Sequence, residues 1–237
     1  MKKLFLCLVF SGGLLVNAQE NENPPQKEKS SSPVIFGMKA GFNTSTYNSI
    51  SENEGFDNNE KLKAGFNAGL FVNIPVEEKF NIQPELLFTQ LGSKTQNRFS
   101  HYSNVYGFAT DSSHRTTLNY LVLPIMVQYN ILPQLYVETG PEFGLLLGGK
   151  IKGEQTTTEV SGNKSFSYTE HFSGKIEKDF YNTFNFGVGI AAGYYLTQNL
   201  AATARFTAGL TGIYKNSPSD SRVKNNSFQI GLAYKFK

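Results

Sequence analysis

The stretch from Phe184 to Leu210, FNFGVGIAAGYYLTQNLAATARFTAGL, decides the fold of this chain. Apolar residues recur at every second position in both halves of it, which is the alternation of a β-strand. The segment from Leu196 to Asn199 separates the halves, so the stretch predicts a β-hairpin with a short turn. Each arm has about ten residues, the length of a tilted strand that crosses a bilayer. One face is apolar throughout, and the other is small and polar with Arg205 in its middle.

The same alternation recurs in six further segments. The predicted strands are Val34 to Asn43, Leu62 to Asn73, Phe80 to Leu91, Leu121 to Tyr129, Leu135 to Leu147 and Ser227 to Lys237. Together with the hairpin they predict an all-β chain of eight antiparallel strands. An even number of strands also predicts that both termini lie on the same side.

The connections between these strands alternate in length. The long, polar ones run from Thr44 to Lys61, Ser93 to Thr117, Lys150 to Tyr181 and Gly212 to Asn226, and the short ones from Ile74 to Lys79, Asn130 to Pro133 and Leu196 to Asn199. Long polar loops are unusual inside a compact soluble domain. They are typical of an up-and-down membrane barrel, which has long extracellular loops at one end and short periplasmic turns at the other.

Strands with one apolar and one polar face can close in two ways. A soluble barrel turns the apolar face inward around a ligand, and a transmembrane barrel turns it outward into lipid. The apolar set includes Phe36, Phe42, Phe66, Phe80, Phe88, Phe143, Phe184, Phe186, Phe206, Phe228 and Phe236. The interior of an eight-stranded barrel is only just wide enough for side chains, so this set would overfill it. The polar, glycine-rich face is therefore predicted to line the lumen.

Charged residues on the predicted inward face form a candidate site. Lys39, Glu85, Glu138 and Arg205 each lie four or five residues from the periplasmic start of a strand, and Glu142 is close by. Such groups are costly to bury unpaired. We therefore expect a structural network of ion pairs that plugs the barrel and leaves no open pore. The alternative is a set of independent, solvated lumen charges.

The N-terminus predicts export. Lys2 and Lys3 precede an apolar run, and small residues ending at Ala18 follow it, as in a secretory signal peptide. The predicted organisation is a signal peptide at residues 1–18, a flexible leader at residues 19–33 and a β-barrel at residues 34–237. Cys7, the only cysteine, would leave with the signal peptide, so no disulfide, catalytic thiol or cysteine metal site is expected in the mature chain.

The composition argues against several other classes of protein. The chain has 20 Phe, 12 Tyr, 22 Gly and no Trp, with a formal net charge of +3. Its lysines are scattered and form no basic helix, so nucleic-acid binding is not expected. After the N-terminus there is no apolar run of about 18 residues that would form a transmembrane helix.

Catalysis is not expected either. A hydrolase or acyltransferase needs a base within hydrogen-bond reach of a nucleophile. The only histidines are His101, His114 and His171, all in predicted surface loops. No phosphate loop, nucleotide fingerprint or catalytic triad motif is present, and no cofactor or metal is predicted.

Several segments resemble one family of barrels. The segments FGMKAGFN, FNIQPELLFTQLG, LNYLVLPIMVQYN, LYVETGPEFGLLLGG and FQIGLAYKF, which follow a signal peptide, are similar to the PorT-like outer-membrane β-barrel family of Bacteroidetes. The resemblance covers about Val34 to Lys237. It implies an eight-stranded barrel in the outer membrane, and its name-giving member is associated with protein secretion through the type IX pathway.

Two kinds of function follow from these expectations. The first is a non-enzymatic structural or accessory component of surface assembly or protein secretion. The second is a small-solute transporter or a lipid-modifying barrel. Expected partners are outer-membrane lipid, the barrel-assembly machinery and secretion or surface proteins. The segment from Lys150 to Tyr181 is also a candidate to extend the strands and offer an edge for strand addition.

The C-terminus carries a candidate insertion signal. Tyr234 and Phe236 resemble the terminal aromatic signal that the barrel-assembly machinery reads, although Lys237 follows them. The alternative is a last strand with aromatic residues at the membrane interface.

Overall fold

The computed structural model describes residues 33–48, 57–102, 106–162, 164–215 and 223–236. The predicted signal peptide, with Cys7, and the predicted leader up to residue 32 lie outside these ranges. The described residues belong to one compact unit, Ser32–Lys237. Among them, no helix is both long and apolar enough to cross a membrane.

Ten strands make up nearly all of the described structure. They are β1 (Ile35–Asn48), β2 (Asp57–Lys61), β3 (Lys63–Pro75), β4 (Phe80–Tyr102), β5 (Tyr106–Asn130), β6 (Leu135–Ser161), β7 (Lys164–Lys175), β8 (Phe184–Tyr195), β9 (Leu200–Gly209) and β10 (Lys224–Lys235). One short 3-10 helix, Lys178–Phe180, lies between β7 and β8. The sequence predicts eight strands, and the additional two are β2 and β7.

The strands form one antiparallel sheet that closes into a ring. Its order is β2-β4-β3-β1-β10-β9-β8-β6-β5, and pairing of β4 with β5 closes it. The closed circuit passes through β1, β3, β4, β5, β6, β8, β9 and β10. β2 continues the position of β3 along β4, and β7 pairs with the distal part of β6. Closure matters because it leaves the backbone groups of the circuit strands paired on both sides.

The prediction of long loops from Ser93 to Thr117 and from Lys150 to Tyr181 is wrong for most of their length. β4 and β5 continue as paired strands through most of the segment from Ser93 to Thr117, up to the pair Tyr102 and Gly107. β6 continues to Ser161 and is covered by β7. Polar residues predominate in these extensions and aromatic residues such as Phe99 and Phe166 are scattered among them, so no regular apolar alternation marks them as strands. Pairing with a neighbouring strand nevertheless satisfies their backbone groups. We call the end that carries β2 and β7 the extended end, and the opposite end the short-turn end.

The outer surface of the ring is apolar, as the sequence predicts. Phe42 is 75% exposed, Phe184 74% and Ile190 63%. Along β8, exposed and buried residues alternate. The phenylalanines therefore point away from the lumen, and the polar face of each strand points into it.

The lumen also contains large aromatic side chains that lie over glycines. Phe71 and Tyr136 are each 3% exposed. A Cβ atom at Gly37 would lie 2.2 Å from Cζ of Phe71, and one at Gly193 would lie 2.1 Å from Cζ of Tyr136. Glycine on one strand thus makes room for a ring from another, which is why a glycine-rich face can still fill a lumen.

Candidate functional site

Five charged side chains meet in the middle of the lumen. We call Lys39, Glu85, Glu138, Glu142 and Arg205 the central charge cluster; β1, β4, β6 and β9 supply them. Each lies on the inward face because strand residues alternate between faces. Their side chains are at most 8% exposed. The structure brings together all five residues that the sequence singles out.

Glu85 accepts hydrogen bonds from both cations. Nζ of Lys39 lies 2.5 Å from its Oε1. The guanidinium of Arg205 binds it with two nitrogens, Nη1 at 2.9 Å from Oε2 and Nη2 at 2.8 Å from Oε1. This two-pronged geometry is the strong form of a charge-assisted hydrogen bond. The negative charge of the completely buried Glu85 carboxylate is thereby balanced by cations that bind both of its oxygens.

The other two carboxylates bind the same cations. Oε1 of Glu138 lies 2.6 Å from Nη2 of Arg205 and 3.5 Å from Nζ of Lys39. Oε1 of Glu142 lies farther away, 3.5 Å from Nη1 of Arg205, and also accepts a hydrogen bond of 3.2 Å from the hydroxyl of Thr207. Arg205 therefore contacts all three carboxylates and links β9 to β4 and β6 across the lumen.

An amide cluster continues the polar network toward the short-turn end. Gln83 donates to Glu85 over 2.9 Å and accepts from Asn73 over 3.1 Å. Asn73 also donates to Gln128 over 2.7 Å, and Asn81 donates to the same oxygen over 3.3 Å. All of these amides are buried, so they close the lumen below the charges.

An apolar plug fills the lumen toward the extended end. Its buried members are Tyr47, Leu118, Tyr120, Val122, Leu146, Tyr181 and Ile213, with Tyr214 packed against them. The rings of Tyr181 and Tyr214 lie 5.2 Å apart. Asn182 holds this arrangement, because its side-chain amide donates to the carbonyls of Gly212 at 2.8 Å and Tyr214 at 3.1 Å.

The space left between these layers is small. A cavity of about 30 Å³ lies between the plug and the central charge cluster, next to Glu142 and Tyr120. A second, of about 10 Å³, lies beside Lys39 and Arg205. Each of these two cavities holds at most about one water molecule, so neither of them has room for a solute.

The histidines lie outside the lumen's charged layer. His101, His114 and His171 are on β4, β5 and β7, which corrects their predicted location in loops. Burial lowers the pKa of His114 from its ordinary value of 6.5, and the charge of Glu60 opposes that shift. Nδ1 of His171 lies 3.6 Å from a carboxylate oxygen of Glu154. Within the ranges described, no three acidic, histidine or cysteine side chains are grouped as a metal site would require.

The two residues of the candidate C-terminal signal lie at the short-turn end of β10. Tyr234 and Phe236 are exposed on the outer surface, 42% and 41% respectively. The backbone N–H of Phe236 donates to the carbonyl of Phe36 over 2.8 Å, so the chain remains paired with β1 up to this residue.

Sequence reasoning missed the apolar plug. Tyr47, Tyr181, Ile213 and Tyr214 come from segments that were predicted as polar loops. They stand singly among polar residues, without the period that marks a strand. Only the folding of three separate segments into the extended end of the barrel brings them together.

The chain is similar to several solved structures at low sequence identity. Among solved structures the chain is similar to Neisserial surface protein A, at 12% identity over 86% of this chain and 100% of that one, with a TM-score of 0.42. It is similar to Ail, the attachment invasion locus protein of Yersinia pestis, at 14% identity over 85% of this chain and 98% of that one, with a TM-score of 0.35. It is also similar to the outer membrane protein OprG from Pseudomonas aeruginosa, at 13% identity over 85% of this chain and 95% of that one, with a TM-score of 0.34. No curated protein matched the chain significantly.

A family comparison identifies the chain. The family described as outer membrane protein beta-barrel domain matches residues 17–215, which is most of the sequence. That match includes nine of the ten strands. The chain therefore belongs to the family of outer-membrane protein β-barrel domains, and its place is the outer membrane.

Proposed function

We propose that this protein is a closed, non-conducting and non-enzymatic barrel that serves as an accessory component of surface assembly or protein secretion. In this proposal the eight strands of the closed circuit cross the membrane, and the central charge cluster is structural. The extended end, with β2 and β7, projects outside the cell. The exposed apolar residues support this orientation, since they recur regularly in the part of the circuit strands next to the short turns and are sparser in the extensions.

The obstruction of the lumen carries the proposal. Three successive layers fill it: the amide cluster, the central charge cluster and the apolar plug. Any solute would have to break the ion pairs of Arg205 and displace the rings of Tyr181 and Tyr214. A barrel that keeps these side chains in place would therefore not conduct solutes.

The strands of the extended end support an accessory role. β7 pairs with β6 along one edge, and its other edge faces no strand among the described residues. Phe166, Tyr168 and Phe172 of β7 are 67%, 42% and 37% exposed. An exposed strand edge with aromatic side chains is suited to strand addition by a partner protein. The resemblance to the PorT-like family favours a partner in secretion.

Solute flux separates the accessory role from transport. Purified protein in liposomes is expected to give no swelling with small sugars, under conditions in which an open porin does. A variant that removes two rings of the plug, Tyr181→Ala with Tyr214→Ala, should remain closed because the central charge cluster still fills the lumen. Flux through the unmodified protein would contradict the proposal and favour the transport alternative.

Proteolysis of intact cells tests the orientation. Trypsin should reach Lys164 and Lys175 at the ends of β7 from outside, and cut them slowly because β7 is paired. Lys79, in a turn at the short-turn end, should be cut only after the outer membrane is permeabilised. Cleavage of β7 as fast as that of an unstructured peptide, or protection of both lysines until permeabilisation, would overturn this arrangement.

We also propose that residues 1–18 are removed on export and that Tyr234 and Phe236 act in insertion. The mature protein should then begin at Gln19, which N-terminal sequencing measures. Phe236→Ser should slow assembly into the outer membrane, whereas Phe228→Ser, in the half of β10 nearer the extended end, should not. Equal assembly rates for the two variants would exclude the signal and leave an ordinary interface aromatic.

A further inference from the structure

Four basic residues lie directly opposite one another on neighbouring strands of the extended end. Lys61 of β2 pairs with Lys94 of β4, Lys94 with Arg115 of β5, and Arg115 with Lys152 of β6. Residues that are directly opposite in a sheet share a face. We call these four the cationic row.

Two more lysines continue the same face toward the barrel. Lys150 and Lys175 pair with each other across β6 and β7, and Lys150 is two residues from Lys152. Lys61, Arg115, Lys152, Lys150 and Lys175 are exposed. The six side chains thus form a continuous basic patch on one side of the extended end, across β2, β4, β5, β6 and β7.

In the described part of the protein, the cationic row is not neutralised by ion pairs. Like charges placed directly opposite in a sheet repel each other, and within the described ranges none of the four members of the cationic row forms an ion pair. Glu60, next to Lys61, points to the other face, where the hydroxyls of Ser93 and Thr95 donate to it. An arrangement of this kind is stabilised by an anion from outside the protein.

Two acidic side chains on the same side of the extended end lie close to a histidine or an arginine. Glu154 lies 3.6 Å from His171, and Asp111 lies 3.5 Å from Arg98. A surface depression of about 320 Å³ is lined by Lys94, Arg115 and Lys152, together with Glu154, His114 and His171. Three members of the cationic row therefore face a recess in which a single carboxylate lies beside a histidine.

The position of the patch indicates which anion it meets. Leu147, which is 44% exposed, lies three residues before Lys150, and Leu62, which is 64% exposed, directly follows Lys61. The basic patch thus begins where the apolar outer surface ends. At such a boundary, long basic side chains reach the headgroups of the lipid that covers the apolar surface.

We propose that the cationic row binds the phosphate groups of a phosphorylated glycolipid in the outer leaflet. Three spacings between strands of about 4.8 Å make the row about 14 Å long, so a headgroup that carries more than one phosphate can contact several of its members at once. The inference rests on the proposed orientation, in which the extended end faces outward. The binding test below is made in detergent and does not depend on that orientation.

The test compares two triple variants of the full-length mature protein in a non-ionic detergent. Lys94→Gln with Arg115→Gln and Lys152→Gln removes three members of the row, and Lys79→Gln with Lys164→Gln and Lys215→Gln makes the same change of charge elsewhere. Binding of diphosphoryl lipid A and of its dephosphorylated form is measured by native mass spectrometry. The gel-mobility difference between heated and unheated samples verifies folding, and Arg115→Gln alone serves if the triple variant does not fold.

The expected result is that diphosphoryl lipid A binds at least tenfold more weakly to the row variant than to the unmodified protein, while the control variant stays within twofold. Arg115→Gln alone should weaken binding by a smaller factor. Equal binding of the dephosphorylated lipid, or equal loss in both triple variants, would overturn the proposal. So would a soluble polysulfate that binds through the same three residues when lipid A does not, since the surface would then belong to a soluble polyanion.

Discussion

At the scale of single residues, Arg205 is the side chain on which the lumen depends most. It contacts three carboxylates on two other strands, β4 and β6, neither of which pairs with its own strand β9. The chain separation between Arg205 and Glu85 is 120 residues. Such an ion pair adds little to stability in itself, but the loss of one member leaves a buried charge without compensation.

Arg205→Met tests that dependence. The substitution leaves Glu85, Glu138 and Glu142 with only Lys39, so we expect the free energy of unfolding to fall by about 3–5 kcal/mol. Urea unfolding in lipid vesicles, followed by circular dichroism because the chain has no tryptophan, measures the change. Arg98→Met is the matched control: its ion pair with Asp111 is exposed, and a loss of about 0–1 kcal/mol is expected. Equal losses in the two variants would show that the cluster is not structural.

A glycine and an aromatic ring in the lumen should be energetically coupled. Gly193→Ala places a Cβ atom 2.1 Å from the ring of Tyr136, and overpacking of this kind costs about 1–3 kcal/mol. In the Tyr136→Ala background the same change should cost much less, which a double-mutant cycle measures. Gly174→Ala is the control, since no atom lies within 4 Å of its added Cβ. A cycle with no coupling would contradict the close approach.

At the scale of elements, the main feature is that β4, β5 and β6 are far longer than the membrane requires. They contain 23, 25 and 27 residues, against about ten for a tilted span. The surplus forms a wall at the extended end, bounded by β2 and β7. Because this wall is polar, its stability comes from backbone pairing and cross-strand contacts rather than from burial.

The segment between β7 and β8 should depend on Asn182. Asn182→Ala removes two hydrogen bonds to backbone carbonyls, and we expect the local free energy of opening to fall by about 1–2 kcal/mol. Hydrogen exchange should accelerate at the amides of Asn182 and Lys215, which donate to Ile213 and Phe180.

The control for this variant is a hydroxyl pair elsewhere. Thr169→Val removes the 2.9 Å contact between Thr169 and Thr156 on the exposed extension. Exchange at Asn182 and Lys215 should remain unchanged in it. If exchange at Asn182 and Lys215 accelerated equally in both variants, the stability of this segment would not depend specifically on the side chain of Asn182.

At the scale of the whole molecule, stability depends on which face of the ring meets lipid. Ile190 lies halfway along β8 and is 63% exposed, and Phe184 begins β8 and is 74% exposed. A charge on the lipid-facing surface costs most at the middle of the bilayer and little near its edge.

A pair of arginine substitutions measures this dependence on depth. Ile190→Arg should lower the free energy of unfolding in vesicles by about 2–4 kcal/mol and Phe184→Arg by about 0–1 kcal/mol. Two equal, small losses would mean that the outer surface does not face hydrocarbon. The comparison requires no assumption about the lumen, since both side chains point away from it.

The sequence by itself determined the strand pattern and the outward direction of the apolar face. An alternation of two residues is a local property, so Phe184, Val188 and Ile190 can be assigned to one face without knowledge of their neighbours. The sequence also predicted that Lys39, Glu85, Glu138 and Arg205 lie on the inward face at similar heights, with Glu142 close by.

Only the tertiary structure decided which of those charges touch, that polar segments continue as strands, and that separate tyrosines meet in a plug. These features depend on the register between strands that are distant in sequence, such as Lys94 opposite Arg115 and Arg115 opposite Lys152. A polar stretch looks the same to local reasoning whether it is a loop or a paired strand. The difference lies in the neighbouring strand that satisfies its backbone.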